Sequence, residues 1–329
     1  MTAAVLWIVP SDNFIYLPDN AKPVARLVQV QGGKDPTGPG GIYYDAVIVR
    51  RAKVFEKLFH FVHSGETLVP ATRVNPPGAS DSQTRIQNLR EMATSQEIAG
   101  AVALKYLGYR VGIRSRGALI EDVAAGSPAA EARLEPTEII EAIDGKRVLT
   151  PADVRRVMAG HRPGDKVRLT IRTGGELVTK TVGTVEGCTY PAGSLRCVPD
   201  PKRAIFGIVV KPATQVTLPI PVNIDSGSIG GPSAGLAFAL DVLEELGHDV
   251  TRGYRVAATG ELDTDGTVEP IGGVKQKTIG VRRAGVDVFL VPAGDNAKEA
   301  RKYAGSVRII PVESFRQALR ALATLPPQR

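Results

Sequence analysis

Two short motifs supply a hydroxyl and an amine, the residue types that acyl-transfer chemistry needs. The first, Gly231–Gly235, reads Gly-Pro-Ser-Ala-Gly, and the second, Ile271–Lys277, ends in a lysine 44 positions after Ser233. A serine needs a base before it can attack a carbonyl carbon, and a lysine shielded from water can be that base. The pair therefore predicts that Ser233 is a nucleophile and Lys277 its general base.

The residues that follow Ser233 predict that it lies at the start of a helix. Leu236, Leu240 and Leu243 recur at helical spacing, and Pro232 suits a first turn because its missing N–H costs nothing there. Free N–H groups at a helix start can stabilise the negative charge of an oxyanion. The alternative is an ordinary helix cap after a glycine-rich loop.

The second motif contains two lysines, and helical spacing distinguishes them. A helix is predicted over residues 274–284, with Val274, Lys277 and Val281 on one face. Lys275 lies on another side and is expected to meet water. Burial disfavours the charged form of a lysine in general, so the lysine on the apolar face is the better base. The alternative is a lysine whose stem merely covers apolar surface.

Other catalytic patterns fit less well. A G-x-S-x-G nucleophile elbow needs an acid and then a histidine after the serine, and His248 is the only histidine that follows. No G-x-x-x-x-G-K-[ST] sequence occurs, so these residues encode no P-loop ATPase. Asp263–Gly266 resembles the opening of a calcium loop but is better explained as a hairpin turn. Neither a cofactor nor a metal site is predicted.

Composition predicts a folded protein of two or three domains. The chain has 329 residues, of which 43% are hydrophobic. Its net charge of +7 comes from 41 Lys and Arg against 34 Asp and Glu. No compact basic run is interleaved with aromatic residues, so nucleic-acid binding is not predicted.

Three stretches together resemble the proteolytic domain of the Lon family: Asp225–Gly235, Thr259–Glu261 and Ile271–Lys277. The resemblance covers roughly residues 205–325. It implies an α/β fold and a serine endopeptidase that acts on protein or peptide substrates. It also implies a homo-oligomer, because Lon-type domains often assemble into rings.

The same resemblance implies roles for individual residues. Ser233 matches the family's nucleophile and Lys277 its base, while Thr259 matches a threonine whose hydroxyl helps to hold that lysine. Many Lon proteases carry an aspartate three residues before the serine, where this chain has Gly230. The electrostatic surroundings of the pair are therefore expected to differ from those enzymes.

Residues 108–187 resemble a PDZ domain, on the Gly126–Ala129 turn and the Glu138–Gly145 strand and turn. The Pro136–Glu138 turn departs from the usual pattern. PDZ domains bind extended peptides at a sheet edge, and the resemblance implies a C-terminal peptide ligand. Tyr109–Ile113 is the predicted receiver of the terminal carboxylate, the alternative being a plain connecting strand.

The first residues are apolar but too few to cross a bilayer. Residues 3–9 include Trp7, and a spanning helix needs about 20 residues. They predict either a buried N-terminal strand or the end of a membrane anchor whose beginning is missing. A PDZ module before a Lon-type domain, without an ATPase, resembles a bacterial family of membrane-anchored proteases. That resemblance implies a cell-envelope location, with the body outside the cytoplasm.

The two cysteines, Cys188 and Cys197, lie between the two modules. An exported chain would let them form a disulfide, whereas a cytosolic chain would keep two thiols. This distinction makes the pair a marker of compartment.

The predicted organisation is an α/β protein in which a Lon-type domain follows a PDZ-like domain or carries it as an insertion. A functional alternative is an inactive PDZ and Lon-like scaffold that binds extended peptides. The predicted segments are 1–13 (remnant of a membrane anchor), 14–107 (β-rich, with a helix near 92–97), 108–187 (PDZ-like), 188–204 (linker) and 205–325 (Lon-type).

Overall fold

A computed structural model describes residues 3–34, 36, 40–59, 64–74, 81–189 and 198–326. The chain divides into two compact units. The first unit comprises Met1–Val74, Asn88–Gly112 and Val216–Arg329, and the second comprises Asn75–Gln87 and Ile113–Gln215. The residues of the second unit thus interrupt the first unit in sequence.

The elements of both units are short apart from one long helix. The strands in chain order are β1 (Pro10–Pro18), β2 (Lys22–Pro23), β3 (Val28–Val30), β4 (Gly41–Tyr44), β5 (Val47–Lys53), β6 (Thr67–Pro70), β7 (Gly112–Val123), β8 (Ile139–Ile143), β9 (Lys146–Arg147), β10 (Lys166–Thr173), β11 (Glu176–Gly183), β12 (Val185–Thr189), β13 (Val198–Ile205), β14 (Ile208–Thr217), β15 (Val222–Ile224), β16 (Arg255–Ala258), β17 (Glu261–Leu262), β18 (Val268–Glu269), β19 (Val288–Pro292) and β20 (Arg308–Val312). The helices are α1 (Ala3–Ile8), α2 (Val54–Leu58), α3 (Ala71–Val74), α4 (Asp81–Tyr106), α5 (Pro128–Glu131), α6 (Pro151–Met158), α7 (Gly235–Glu245), α8 (Val274–Arg283), α9 (Asp295–Tyr303) and α10 (Phe315–Ala323), and a 3₁₀ turn spans Pro232–Ala234.

A five-stranded sheet organises the first unit, in the order β2-β4-β16-β19-β20. Strand β16 runs parallel to β4 and to β19, and Ala257 is paired with Tyr43. Parallel strands are buried on both faces, which explains why β19 is a continuous apolar run. Because β4 and β16 are parallel neighbours, the residues that follow them, Asp45 and Thr259, leave the sheet at the same edge.

Helices α7 and α8 form where the sequence predicts them. Helix α7 is buried along almost its whole length. On α8, the predicted face of Val274, Lys277 and Val281 is indeed buried. Helix α8 packs closely against the backbone just after β1. A Cβ at Gly280 would lie 1.8 Å from the Asp19 carbonyl oxygen, so only glycine fits there.

The second unit has its own sheet and core. Five of its strands pair side by side in the order β11-β10-β8-β7-β14, and β9 pairs with β8. Helix α6 begins with a capping box, in which Thr150 and Asp153 bond each other's backbone N–H groups. Strands β12 and β13 pair separately as an antiparallel ladder.

Helix α1 corrects the prediction of a buried N-terminal strand. Trp7 is 51% exposed and stacks on Phe55 of α2, with 4.2 Å between ring centroids. The next strand, β1, already begins at Pro10, inside the segment predicted as an anchor remnant. Within the described part of the chain, no helix has the length and apolarity needed to cross a membrane.

The described residues of the segment predicted as a linker, 188–189 and 198–204, belong to strands. They are the end of β12 and most of β13, which pair with each other. Cys188 is disulfide-bonded, and Cys197, the other cysteine of the sequence, lies outside the described residues. Strand β14, predicted to open the Lon-type domain, joins the sheet of the second unit through β7. The helix expected near 92–97 is the centre of the 26-residue α4.

Candidate active site

Ser233 and Lys277 lie within hydrogen-bonding distance of each other in the first unit. The Lys277 Nζ is 2.9 Å from the Ser233 Oγ. Ser233 sits in the 3₁₀ turn before α7 and is half-buried. Lys277 sits in the first turn of α8 and is 4% exposed. The arrangement is one in which an amine can accept the proton of an attacking hydroxyl.

The turn that carries Ser233 is fixed through its backbone. The Ser233 carbonyl oxygen accepts hydrogen bonds from the Gly260 N–H (2.8 Å) and from the Thr259 hydroxyl (3.2 Å). Gly231 precedes the turn with φ of 88°, in the left-handed region that favours glycine. These constraints orient the serine without using its side chain.

Thr259 is fully buried and touches every other member of the site. Its hydroxyl oxygen lies 3.0 Å from the Lys277 Nζ and 3.0 Å from the Asp45 Oδ1. Because it follows β16 directly, the sheet determines its position. The structure therefore places Thr259 against the lysine, as the family resemblance implies.

Asp45 is a member of the site that the sequence analysis missed. Its Oδ1 is 2.6 Å from the Lys277 Nζ, and the side chains are 1% and 6% exposed. Its Oδ2 is buried without a hydrogen-bond partner in the described part of the molecule. Gly230 supplies no carboxylate, and the carboxylate beside the lysine comes from Asp45, the residue after β4. The sequence shows that Asp45 follows an apolar strand, as Thr259 does, but not that its strand pairs with β16.

Lys275 is less exposed to water than the sequence analysis predicts. It is half-buried, and its Nζ donates to the Glu66 carbonyl oxygen at 2.8 Å. Its neighbour Gln276 donates to Thr67 at 2.7 Å. These contacts hold α8 to the segment before β6 and leave Lys275 outside the cluster of Ser233, Thr259 and Asp45.

The histidine needed for a nucleophile elbow is far from the serine. His248 is exposed and follows α7, whose 11 residues span about 16 Å from its start near Ser233. The Asp263–Gly266 stretch forms the predicted hairpin between β17 and β18. Among the described side chains, no group of three or more His, Cys, Asp and Glu is placed to hold a metal ion.

Comparison with known proteins identifies both parts of the chain. Residues 208–324 match the Lon protease (S16) C-terminal proteolytic domain, and residues 105–184 match the PDZ domain. The C-terminal part is thus similar to Lon-type proteolytic domains, and the part before it is similar to PDZ domains. The predicted fold class, an α/β protein with a PDZ-like domain and a Lon-type proteolytic domain, is confirmed.

Curated relatives match only the C-terminal part. The Lon protease of Chloroflexus aggregans is 38% identical over 133 residues, which are 38% of this chain and 16% of that protein. Lon protease 2 of Bacillus subtilis is 33% identical over 109 residues, or 33% of this chain and 19% of that protein. The chain therefore spans less than a fifth of the length of these relatives.

A solved structure is similar to the PDZ part. The PDZ domain of the SdrC-like protein from Listeria monocytogenes is 18% identical, with a TM-score of 0.23. The match covers 29% of this chain and 87% of that domain.

Proposed function

We propose that the chain is a serine endopeptidase in which Ser233 and Lys277 form the catalytic pair. The observation that carries the proposal is the 2.9 Å contact between the Lys277 Nζ and the Ser233 Oγ. The Oγ of Ser233 attacks the scissile carbonyl carbon while the neutral amine of Lys277 accepts the hydroxyl proton. Lys277 then protonates the departing amine, and a water molecule that Lys277 deprotonates hydrolyses the acyl-enzyme.

Thr259 and Asp45 orient the lysine in this proposal. Both contact the Nζ, so the amine cannot rotate freely away from Ser233. The Asp45 carboxylate also stabilises the ammonium form that exists after proton transfer. The N–H groups at the start of α7 are the candidate donors to the oxyanion. No step in this sequence uses ATP or a metal.

Matched lysine variants test the pair. Fluorescein-labelled casein serves as an unfolded protein substrate for the wild type, Ser233→Ala, Lys277→Met and Lys275→Met. Loss of either catalytic partner should lower turnover about 10³-fold or more, and the double variant should be scarcely worse because the two act as a unit. Lys275→Met should stay within about threefold, since its amine contacts Glu66 and not Ser233. Wild-type activity in all variants would mean that the peptidase does not use this pair, and a wild-type chain without activity would support the alternative, an inactive scaffold.

The PDZ unit supports a second function, the binding of extended peptides. Strand β7 has β8 on one side and β14 on the other, and of the predicted stretch Tyr109–Ile113 only the last two residues belong to β7. In the described sheet β14 is one of the two edge strands, and peptides add to such edges. The half-buried side chains of Ile208 and Val210 lie beside this edge.

The turn before β14 is suited to a terminal carboxylate. The carbonyl oxygens of Phe206 and Gly207 accept hydrogen bonds from the N–H groups of Ala129 and Ala124, both at 2.9 Å. In a trans peptide the N–H points opposite to the C=O, so the N–H groups of Gly207 and Ile208 point away from Ala129 and Ala124. Gly207 has φ of 81°, a conformation found in anion-binding turns.

Peptide binding is tested with fluorescent peptides that end in a free carboxylate or in an amide. The 329-residue chain should bind some peptides with an apolar C-terminus, and amidation of the terminal carboxylate should abolish that binding. Val157→Lys on α6, at a side chain that packs against the same core cluster as Ile208 and Val210, should abolish binding. Leu177→Lys, on the far edge strand β11 and 56% exposed, is the matched control. Equal losses in the two variants would argue against the β14 edge.

An extracytoplasmic location is part of the proposal. The support is the disulfide of Cys188, because such bonds persist in oxidising compartments. Thiol labelling of protein taken directly from cells, with and without reductant, should detect thiols only after reduction. Two reactive thiols without reductant would contradict an exported body. Membrane anchoring and oligomer formation stay predictions.

A further inference from the structure

Helix α4 lies along the loop that leads to Ser233 and contacts it at three levels. The Asn88 carbonyl oxygen accepts the Gly231 N–H at 2.8 Å. The Ser95 Oγ donates to the Pro232 carbonyl oxygen at 2.8 Å, and the Gln96 Nε2 donates to the Ser226 Oγ at 2.8 Å. One face of a single helix therefore supports the whole approach to the nucleophile.

The Ser95 contact differs from the others because it acts on the peptide bond of the nucleophile itself. Ser95 is 2% exposed, so little water can replace its hydroxyl. The Pro232 carbonyl oxygen also accepts the Gly235 N–H, which leaves the Ser95 bond as its second constraint. At Gly235 a Cβ would lie 2.8 Å from the Ser95 Oγ, so the glycine permits this close approach.

The orientation of that peptide bond has a consequence for catalysis. The peptide is trans, and its C=O and N–H point in opposite directions. With the Pro232 oxygen held toward α4, the Ser233 N–H is directed to the opposite side, away from the helix. An N–H at a helix start has no intrahelical acceptor and is free to receive a developing negative charge.

We infer that Ser95 is a positioning residue that aims the Ser233 N–H at the oxyanion of the transition state. This inference rests on the proposed peptidase function. Ser95 does not touch substrate; it acts through the Pro232–Ser233 peptide bond. Since the oxyanion exists only after attack, the effect belongs to the transition state and not to substrate binding.

Ser95→Ala tests the inference through the division between kcat and KM. With labelled casein, kcat should fall about 10- to 100-fold, because a misaimed oxyanion donor costs rate. KM should stay within about twofold, and the pH dependence should be unchanged because Lys277 keeps its contacts. A tripeptide aldehyde made of leucine residues, which forms a tetrahedral adduct, should lose affinity by the same factor as kcat. The matching alcohol should not.

Gln96→Ala is the matched control, since it removes a bond between the same helix and the same loop seven positions before Ser233. Its kcat should stay within about twofold of the wild type. Equal losses in the Ser95 and Gln96 variants, or equal losses of aldehyde and alcohol affinity, would show general loosening and overturn the inference. Wild-type kcat in Ser95→Ala would overturn it while leaving the peptidase intact. A wild-type chain that neither cleaves casein nor binds the aldehyde would refute both.

Discussion

The carboxylate of Asp45 lies 2.6 Å from the amine of Lys277, although 232 positions separate the two residues in sequence. Both side chains are almost completely buried. A buried ion pair costs desolvation, and its members depend on each other for compensation. The pair therefore links the stability of the first unit to the chemistry of its candidate active site.

Removing one member of this pair should destabilise the protein as well as inactivate it. In a Ser233→Ala background, which prevents self-cleavage, Lys277→Met should lower the free energy of unfolding by about 3–5 kcal/mol, because Asp45 is left buried and unpaired. Combining it with Asp45→Asn should restore part of that loss. Urea denaturation measures both, and strict additivity of the two single effects would contradict the coupling.

Asp45 should also affect the rate of the reaction. Its Oδ1 lies 2.6 Å from the Lys277 Nζ, so Asp45→Asn weakens a contact that holds the amine beside Ser233. We expect kcat for casein cleavage to fall about 10- to 100-fold, because small errors in the position of a catalytic group cost rate. Steady-state kinetics measure the change, and a wild-type kcat would mean that Asp45 does not position the amine.

The Thr259 hydroxyl should matter more than its methyl group. It contacts Asp45, Lys277 and the Ser233 backbone. Thr259→Val keeps the shape and loses these bonds, so kcat should fall about 10- to 100-fold. Thr259→Ser keeps the hydroxyl and should retain most of the activity. Steady-state kinetics of both variants measure the difference, and equal activities would show that the Thr259 hydroxyl has no role in catalysis.

Asp241 on α7 should make stability depend on pH. Burial, followed by the charges of Glu245 and Glu244, raises the pKa of this carboxyl to about 8, and neither oxygen has a hydrogen-bond partner among the described residues. Between the ordinary aspartate pKa of 3.8 and the raised pKa of about 8, the folded state keeps a proton that the unfolded state releases. Folding stability should therefore fall as pH rises through this window, by at most about 1.4 kcal/mol per pH unit from this group.

Asp241→Asn isolates that contribution. The variant should show a flatter dependence of unfolding free energy on pH and should exceed the wild type most clearly near pH 8. Glu269→Gln, at an exposed carboxyl, is the control and should follow the wild type. Urea denaturation at pH 5, 6.5 and 8 provides the comparison. Parallel curves for the wild type and Asp241→Asn would disprove the assignment.

The sequence predicts those parts of the site that depend on local periodicity. Helical spacing identifies α7 and α8 and selects Lys277 over Lys275, because an apolar stripe determines which side of a helix is buried. Asp45 is not accessible to such reasoning, since it reaches Lys277 only through the parallel pairing of β4 with β16. No local pattern specifies which distant strand becomes a neighbour.

Two other differences have similar physical causes. The apolar run at residues 3–9 is too short for periodicity to separate strand from helix, and it forms α1. Strand β14 lies within the region matched to the Lon domain, yet it pairs with β7 of the PDZ unit. Strand membership is decided by tertiary pairing, which the residues of β14 alone do not reveal.

The most direct test of the Ser233–Lys277 pair is to trap the acyl-enzyme. A peptide p-nitrophenyl ester is mixed with the 329-residue chain, and the reaction is quenched in acid within milliseconds to seconds. Mass spectrometry of the digested protein then identifies the acylated residue. The wild type should release p-nitrophenol and carry the peptidyl group on Ser233. Lys277→Met should acylate far more slowly, and Ser233→Ala should not acylate. Acylation of a different residue, or wild-type rates in Lys277→Met, would contradict the account.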